Sequence, residues 1–320
     1  DVDGDGKNEV VFINKNIVYL YRYTEGTIAK IKEFTGRNFD SFFGVDVADI
    51  NGNGKAEIFV NNLITTNRKL SSFVLEWDGS KLVKIVDDET RFFRVIRVPK
   101  QGAILLGQTL VGDRVYSNRV EELTWQGQRY AVASEKRYQL AVNVMGIAFG
   151  AFATDGRELA VAFTEDDYFH MFNNTDGSHT WKSEEKYGGN SLYLEFPDEN
   201  AAPIGDYREM KHIYLPQRIH IADINKDGKN EVLVPKNIDF AGRHLGRMRI
   251  YERGHIEGFD WSELGLNPKW KTRRLPGYIS DWVIADLDND GQDEIVCSVV
   301  TMTAPIIGEE KSYVVMMEFN

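Results

Sequence analysis

A nine-residue acidic pattern recurs along this chain, and each copy leads directly into a short apolar run. The clearest copy, residues 286–294 (loop six), reads D-x-D-x-D-G-x-x-E. Related copies lie at residues 1–9 (loop one), 49–57 (loop two) and 223–231 (loop five). The apolar runs are rich in β-branched residues, which favour strands over helices. The pattern therefore predicts a chain built from repeated strand–turn–strand units.

The spacing within each copy suits a hard cation. Calcium binds six to eight oxygens at roughly 2.3–2.6 Å. Asp or Asn side chains at positions 1, 3 and 5 place three oxygens inside a tight curl, and glycine at position 6 permits the sharp turn. The carbonyl at position 7 and the carboxylate at position 9 can complete the shell. An Asx-rich turn without metal is the alternative, but the recurrence favours calcium at four sites.

The residue at position 12 of each loop excludes an EF-hand. An EF-hand loop needs a glutamate at that position. In this chain position 12 is occupied by side chains that cannot ligate calcium, namely Phe12, Val60, Val234 and Cys297. The acidic loops are therefore expected to join two strands.

The repeat extends beyond the four acidic copies. Residues 92–108 and 145–163 resemble units whose loops have lost their ligands, and we expect neither to hold calcium. Turn pairs that indicate β-hairpins lie at Glu25-Gly26, Asp78-Gly79, Gln126-Gly127 and Asp176-Gly177. Six units of about 50 residues with four strands each are typical of a β-propeller.

We therefore predict an all-β fold, a six-bladed β-propeller of four-stranded blades. The predicted blades cover approximately residues 1–40, 41–91, 92–140, 141–190, 215–275 and 276–320, with an insertion at 187–215. The first unit lacks its inner strand and the last ends after its third, so we expect roughly 15–30 further residues upstream. A whole missing unit would make seven blades.

Two long connections interrupt the repeat, at residues 187–215 and 253–276. Long loops on a rigid scaffold often carry function. The alternative is that these segments are surface excursions or the outer strand of a blade.

Composition narrows the classes of partner and compartment. The chain has 320 residues, a net charge of −11 and one cysteine, Cys297, so it cannot form an internal disulfide or a cysteine–zinc site. The acidic balance argues against a nucleic-acid partner. We predict no transmembrane segment, because no stretch reaches 18 apolar residues.

The segments "FGVDVADINGNGKAEIFV" and "IADINKDGKNEVLV" resemble the FG-GAP/VCBS repeats of integrin-α-like propellers. The resemblance implies that the first strand of each blade lines a central channel and that the loop after it binds calcium. The implied ligands are the side chains of Asp1, Asp3, Asp5, Glu9, Asp49, Asn51, Asn53, Glu57, Asp223, Asn225, Asp227, Glu231, Asp286, Asp288, Asp290 and Glu294, and the backbone carbonyls of Lys7, Lys55, Lys229 and Gln292.

The loops differ in charge. Loops one and six offer four carboxylates, loop five offers three, and loop two offers only Asp49 and Glu57. Calcium affinity generally rises with ligand charge, so we predict that loop two binds most weakly.

No catalytic motif is present, so we predict that the chain is not an enzyme. We expect an extracytoplasmic protein, secreted, periplasmic or at the cell surface, that serves as a protein-binding, assembly or adhesion module. The first alternative is a lectin-like propeller that binds surface glycans, which exposed Trp77, Trp125 or Trp181 would favour. The second is a polysaccharide-acting or quinone-dependent enzyme. It would need a polar cluster around the central channel, and the sequence displays none.

Overall fold

The strands form six antiparallel sheets and one separate two-stranded hairpin. The computed structural model describes residues 1–153, 155–198, 201, 208–239, 249–302 and 310–319. Parts of the predicted insertion and of the fourth, fifth and sixth predicted blades lie outside these described residues. The sheets are arranged as a six-bladed β-propeller, which confirms the predicted fold class.

The bounds of the strands follow the repeat. The first three sheets (blades 1–3) contain β1 (Glu9–Asn14), β2 (Ile17–Thr24), β3 (Thr27–Thr35); β4 (Asp40–Ala48), β5 (Glu57–Ile64), β6 (Lys69–Leu70), β7 (Ser72–Trp77), β8 (Leu82–Glu89); and β9 (Arg91–Val98), β10 (Gly102–Thr109), β11 (Ser117–Trp125), β12 (Tyr130–Val142). The later elements are β13 (Ile147–Ala151), β14 (Glu158–Phe163), β15 (Phe169–Asn173), β16 (His179–Lys182); the hairpin β17 (Tyr193–Pro197), β18 (Met210–Tyr214); β19 (His220–Ala222), β20 (Glu231–Asp239), β21 (Tyr251–Ser262), β22 (Gly265–Lys271), β23 (Leu275–Pro276); and β24 (Tyr278–Ala285), β25 (Glu294–Met302), β26 (Glu310–Met317).

Within each sheet the strands lie side by side in chain order. Blades 2 to 5 have four main strands, and β6 and β23 are short additions. In the described part of the chain, blades 1 and 6 have three strands each. The strand pairs predicted within 92–108 and 145–163 are present as β9–β10 and β13–β14. A short 3-10 turn, Val144–Gly146, leads into blade 4.

Of the two interpretations of residues 253–276, the structure supports the outer strand of a blade over a long functional loop. Most of this segment belongs to the hairpin β21–β22, the outer strands of blade 5. Pro268 obscured the pattern, but proline is tolerated in β22 because this strand lies at the sheet edge. Gly258 makes room for the neighbouring indole, since a Cβ at that position would lie 2.3 Å from Trp270.

Aromatic side chains pack the blades against one another. Phe59 in blade 2 meets Phe93 in blade 3 edge to face, with ring centroids 5.6 Å apart. Phe169 in blade 4 meets Phe259 in blade 5 at 5.3 Å. Such edge-to-face pairs contribute about 0.5–1.5 kcal/mol beyond the burial of their area. The core therefore lies between the sheets.

Side-chain amides also connect successive blades. In each case an amide on the second strand of one blade binds backbone groups near the start of the next blade. The pairs are Asn61 with Phe93, Gln108 with Val144, and Asn237 with Ile279. The fully buried Asn61 accepts the Phe93 N–H at 2.6 Å and donates to the Phe93 carbonyl at 2.9 Å. The Asn61 side chain therefore makes with Phe93 the pair of hydrogen bonds that the backbone of a neighbouring strand would make.

Replacing Asn61 tests this connection. Asn61→Ala should lower the free energy of unfolding by about 1–3 kcal/mol, because it leaves a buried backbone donor and acceptor without partners. Urea denaturation followed by circular dichroism measures the change. Asn118 is exposed in β11, and Asn118→Ala is the control, with an expected change within about 0.5 kcal/mol. Equal losses in the two variants would contradict this role.

Candidate metal loops and the central channel

The four acidic loops share one hydrogen-bonded curl. The carboxylate at position 1 accepts the N–H of the position 6 glycine at 2.8, 2.9, 2.8 and 3.0 Å in loops one, two, five and six. The side chain at position 5 accepts the N–H of position 7 at 3.0, 2.9, 2.9 and 2.8 Å. The position 6 glycines have φ between +86° and +91°, where other residues are disfavoured. The same backbone curl therefore forms in all four loops, and three or more carboxylates converge within 4.8 Å in loops one and six.

The residue at position 4 also has a left-handed backbone conformation in every loop, a feature that the nine-residue pattern does not predict. The residues there are Gly4, Gly52, Lys226 and Asn289. Glycine and asparagine adopt this conformation readily, whereas lysine does so at some cost. Loop five therefore has the least favourable residue for the turn.

The glutamate at position 9 ties the start of each loop to the strand that comes after it. Its carboxylate accepts the N–H of position 2 at 2.7, 2.8, 3.3 and 2.9 Å in loops one, two, five and six. The side chains of Glu57, Glu231 and Glu294 are buried. Burial raises the pKa of Glu57 to about 7 and also raises the pKa of Glu231 and of Glu294. A nearby cation would stabilise the ionised form of each.

Loop six fits a hard cation best. One carboxylate oxygen from each of Asp286, Asp288, Asp290 and Glu294 lies within 4.8 Å of the others. Among the described residues, no lysine or arginine forms an ion pair with these four groups. Four carboxylates that converge without an internal counter-charge match the oxygen ligands that calcium prefers.

Loop two gains a carboxylate from the neighbouring strand. Ile58 is paired with Leu75, so Glu76 in β7 lies opposite Glu57. Its carboxylate accepts hydrogen bonds from the Asn51 and Asn53 amides at 2.9 and 2.7 Å. Glu76 lies outside the nine-residue pattern, so the pattern alone gives no signal for it.

Loop five gains Asp260 in the same way and also meets a lysine. Val232 is paired with Phe259, which places Asp260 opposite Glu231. Lys269 in β22 extends its ammonium group to Asp260 at 2.9 Å, Asp227 at 3.4 Å and Glu231 at 3.9 Å. Its side chain is 37% exposed, so a long flexible stem brings this charge in from solvent.

Loop one does not fit calcium in the same way. Carboxylate oxygens of Asp1, Asp3 and Glu9 lie within 4.8 Å of one another. Arg22 in β2 is paired with Glu9, and its guanidinium contacts Asp3 at 3.0 Å, Asp5 at 2.9 Å and Glu9 through Nε at 3.1 Å. A guanidinium therefore lies among the predicted ligands.

The central channel contains the polar cluster that the sequence did not display. Arg218 pairs with both Asp46 and Asp281, and Arg94 donates to Asp46 at 3.0 Å. Arg94, Arg218 and Asp46 are buried. The cluster joins blades 2, 3, 5 and 6. Because its members come from separate repeats, no local motif could reveal it.

A cavity of about 600 Å³ lies beside this cluster and includes His220 in its lining. Burial, together with the positive charges of Arg94 and Arg218, holds the pKa of His220 well below its usual range. His220 is therefore neutral at physiological pH. The two arginines and two aspartates pair with one another, an arrangement that suits a connection between blades.

Arg218→Met should show the strength of this connection. Removing the shared cation leaves Asp46 buried with reduced compensation, and losing one partner of a buried ion pair costs about 3–5 kcal/mol. Chemical denaturation measures the loss. Arg97 is exposed beside the same cavity, so Arg97→Met is the control, with an expected change within about 0.5 kcal/mol. A loss for Arg218→Met no larger than the control would contradict the interpretation.

Three comparisons relate the chain to known proteins. Residues 1–60 match the model of the FG-GAP-like repeat family. No curated protein matches the chain significantly in sequence.

Similar solved structures include BBS1N in complex with ARL6DN, which is 11% identical at a TM-score of 0.49, with 93% of this chain and 87% of that chain covered. A putative oxidoreductase (glucose dehydrogenase) from Thermus thermophilus is also 11% identical at a TM-score of 0.49, with 97% and 92% covered. Within the described residues, no helix is long and apolar enough to cross a membrane. The chain is thus a six-bladed β-propeller whose residues 1–60 match the FG-GAP-like repeat.

Proposed function

We propose that this propeller is stabilised by calcium and acts outside the cytoplasm as a protein-binding, assembly or adhesion module. The observation that carries the calcium proposal is the convergence in loop six of four carboxylates that form no ion pair with any described residue. Asp286, Asp288, Asp290 and Glu294 would bind the ion through their side chains, and Gln292 through its backbone carbonyl. The ion would supply the positive charge that these carboxylates lack.

Calcium would join two strands of one blade. Loop six begins directly after β24 ends at Ala285, and Glu294 is the first residue of β25. Without a cation, the crowded carboxylates repel one another and favour opening of the loop. An ion that binds only the folded chain adds about 2.7 kcal/mol of stability when its free concentration is 100 times its dissociation constant. Extracellular calcium modules bind in the range of about 10⁻⁴–10⁻³ M, which motivates the proposed compartment.

The expected order of the sites changes once the neighbouring strands are included. Loop two has the fewest carboxylates of its own, but Glu76 brings it a third. Loop five has Asp260 as an additional acid, yet Lys269 competes for the same oxygens. We propose that loop six binds calcium most tightly and that loops two and five come after it.

The hairpin β17–β18 is our candidate for the partner-binding surface. Tyr193 is 38% exposed and stacks on His212 with ring centroids 4.0 Å apart. His212 also contacts Glu195 at 3.0 Å. Exposed aromatic rings that carry polar groups are enriched at protein interfaces. The hairpin forms its own two-stranded sheet, in which Leu194 and Phe196 pack into the core while Tyr193 and Glu195 are exposed on the other face. A partner can therefore bind the exposed face without displacing the core contacts.

The lectin and enzyme alternatives each require a structural feature, and the described residues provide only the one that an enzyme would need. Trp77, Trp125 and Trp181 are half-buried and pack against the blade cores, so they do not form the exposed surface that a lectin would use. The channel does hold the polar cluster that an enzyme would need. Its charged groups pair with one another, and the absence of enzymatic activity remains a prediction.

Calcium should raise the melting temperature of the wild-type protein relative to excess chelator. A gain of about 2.7 kcal/mol corresponds to about 5 °C for a chain of this size class. Asp288→Asn removes one proposed ligand charge and should reduce the shift. Asp293 is exposed in the same loop but is not a proposed ligand, so Asp293→Asn should keep the full shift. Identical melting curves of the wild type in calcium and chelator would refute the proposed role.

Partner binding can be tested by crosslinking the calcium-loaded protein within an extracytoplasmic fraction. The double variant Tyr193→Ser, His212→Ser should lose the captured protein without a change in melting temperature. Val132 is an exposed apolar residue in blade 3, and Val132→Ser should retain the capture. Capture of glycan in place of protein would favour the lectin alternative. Equal protein capture by both variants would exclude the hairpin as the binding surface.

A further inference from the structure

We infer that loop one is closed by the chain's own Arg22 and does not take the calcium ion proposed for the other loops. The inference rests on the proposed function only in the comparison with those loops. Its evidence is a difference in the strand that pairs with the strand after the loop, at the residue that lies opposite the position 9 glutamate. This strand is β2, β7, β21 or β26, and it is called the third strand because it is third in blades 2, 5 and 6.

That residue is acidic in blades 2, 5 and 6. Glu76 lies opposite Glu57, and Asp260 lies opposite Glu231. In blade 6, Ile295 is paired with Met317. The antiparallel register therefore places Glu318, the first residue after β26, opposite Glu294. In blade 1 the same position holds Arg22. A change from a negatively charged to a positively charged side chain at one equivalent position therefore distinguishes loop one from the other three loops.

The guanidinium of Arg22 fills the centre of loop one. It contacts Asp3, Asp5 and Glu9, the last through two of its nitrogens. A guanidinium presents its donors in a planar fork that matches carboxylate geometry. The Arg22 side chain is 27% exposed, and the Glu9 side chain that it contacts is fully buried. A calcium ion would need the same oxygens, so it could enter only after Arg22 had left.

Lys269, which reaches loop five from β22, does not close that loop as Arg22 closes loop one. It belongs to the fourth strand of its blade, and its closest contact is the third-strand residue Asp260 at 2.9 Å. Its distances to Asp227 and Glu231 are 3.4 and 3.9 Å. The ammonium can turn toward solvent while Asp260 stays in place. In blade 1 the third-strand position is Arg22 itself, so this position offers loop one no additional carboxylate.

Loop one also lies against loop six. The Asn8 N–H donates to the Asn289 side chain at 2.6 Å, and the Asn8 amide donates to the Asp286 carbonyl at 2.9 Å. A loop held by an internal cation keeps its shape at any calcium concentration. Loop one therefore offers loop six a fixed neighbour at the junction of the first and last blades.

Counting bound calcium by isothermal titration calorimetry tests the inference. Asp3→Asn keeps the shape of the side chain but weakens loop one as a calcium site. If Arg22 fills loop one, Asp3→Asn binds as many equivalents as the wild type. Arg22→Gln should bind one equivalent more, and its melting temperature should depend on calcium more steeply than that of the wild type. Lys30→Gln, an exposed change in the same blade, should alter neither quantity.

Loss of one equivalent in Asp3→Asn would show that wild-type loop one binds calcium and would overturn the inference. If the wild-type protein binds no calcium at all, the proposed function fails and Arg22→Gln alone decides. One new equivalent in that variant would then support the inference, and none would overturn it.

Discussion

Each acidic loop depends on one contact, made by the buried glutamate that begins the strand after the loop. Its carboxylate accepts the backbone N–H of the second loop residue, at distances from 2.7 to 3.3 Å across the four loops. This contact fixes the start of the loop against the start of the strand that comes after it. It also places a negative charge beneath the loop, out of contact with water. We propose that a cation compensates this charge and that the repeats differ in how they provide it.

We infer that the residue offered by the third strand determines which cation a loop takes. Where it offers Glu76 or Asp260, the loop gains a carboxylate and becomes more suited to calcium. Where it offers Arg22, the chain supplies the positive charge itself. The same curl is thus stabilised in two ways within one propeller. The four carboxylates of loop six form no ion pair within the part of the chain that the structure describes, so we expect this loop to depend most on a cation from outside.

The fold could be predicted because its signals are local and repeated. The spacing of the acidic residues and the β-branched runs after them indicated strand, loop and strand, and the hairpin turns indicated the outer strands. Interactions between separate strands could not be predicted without knowing the register. Glu76 and Arg22 are ordinary strand residues until pairing sets them opposite Glu57 and Glu9. The channel pair of Asp46 and Arg218 is 172 residues apart in the chain, and only the ring brings it together.

Anomalous X-ray diffraction from crystals grown in calcium would test the central claim most directly, because it locates calcium ions and side chains in the same experiment. We expect an anomalous peak enclosed by Asp286, Asp288, Asp290 and Glu294 in loop six. In loop one we expect the guanidinium of Arg22 among Asp3, Asp5 and Glu9, with no anomalous peak. A peak in loop one with Arg22 turned away, or none in loop six, would contradict the account.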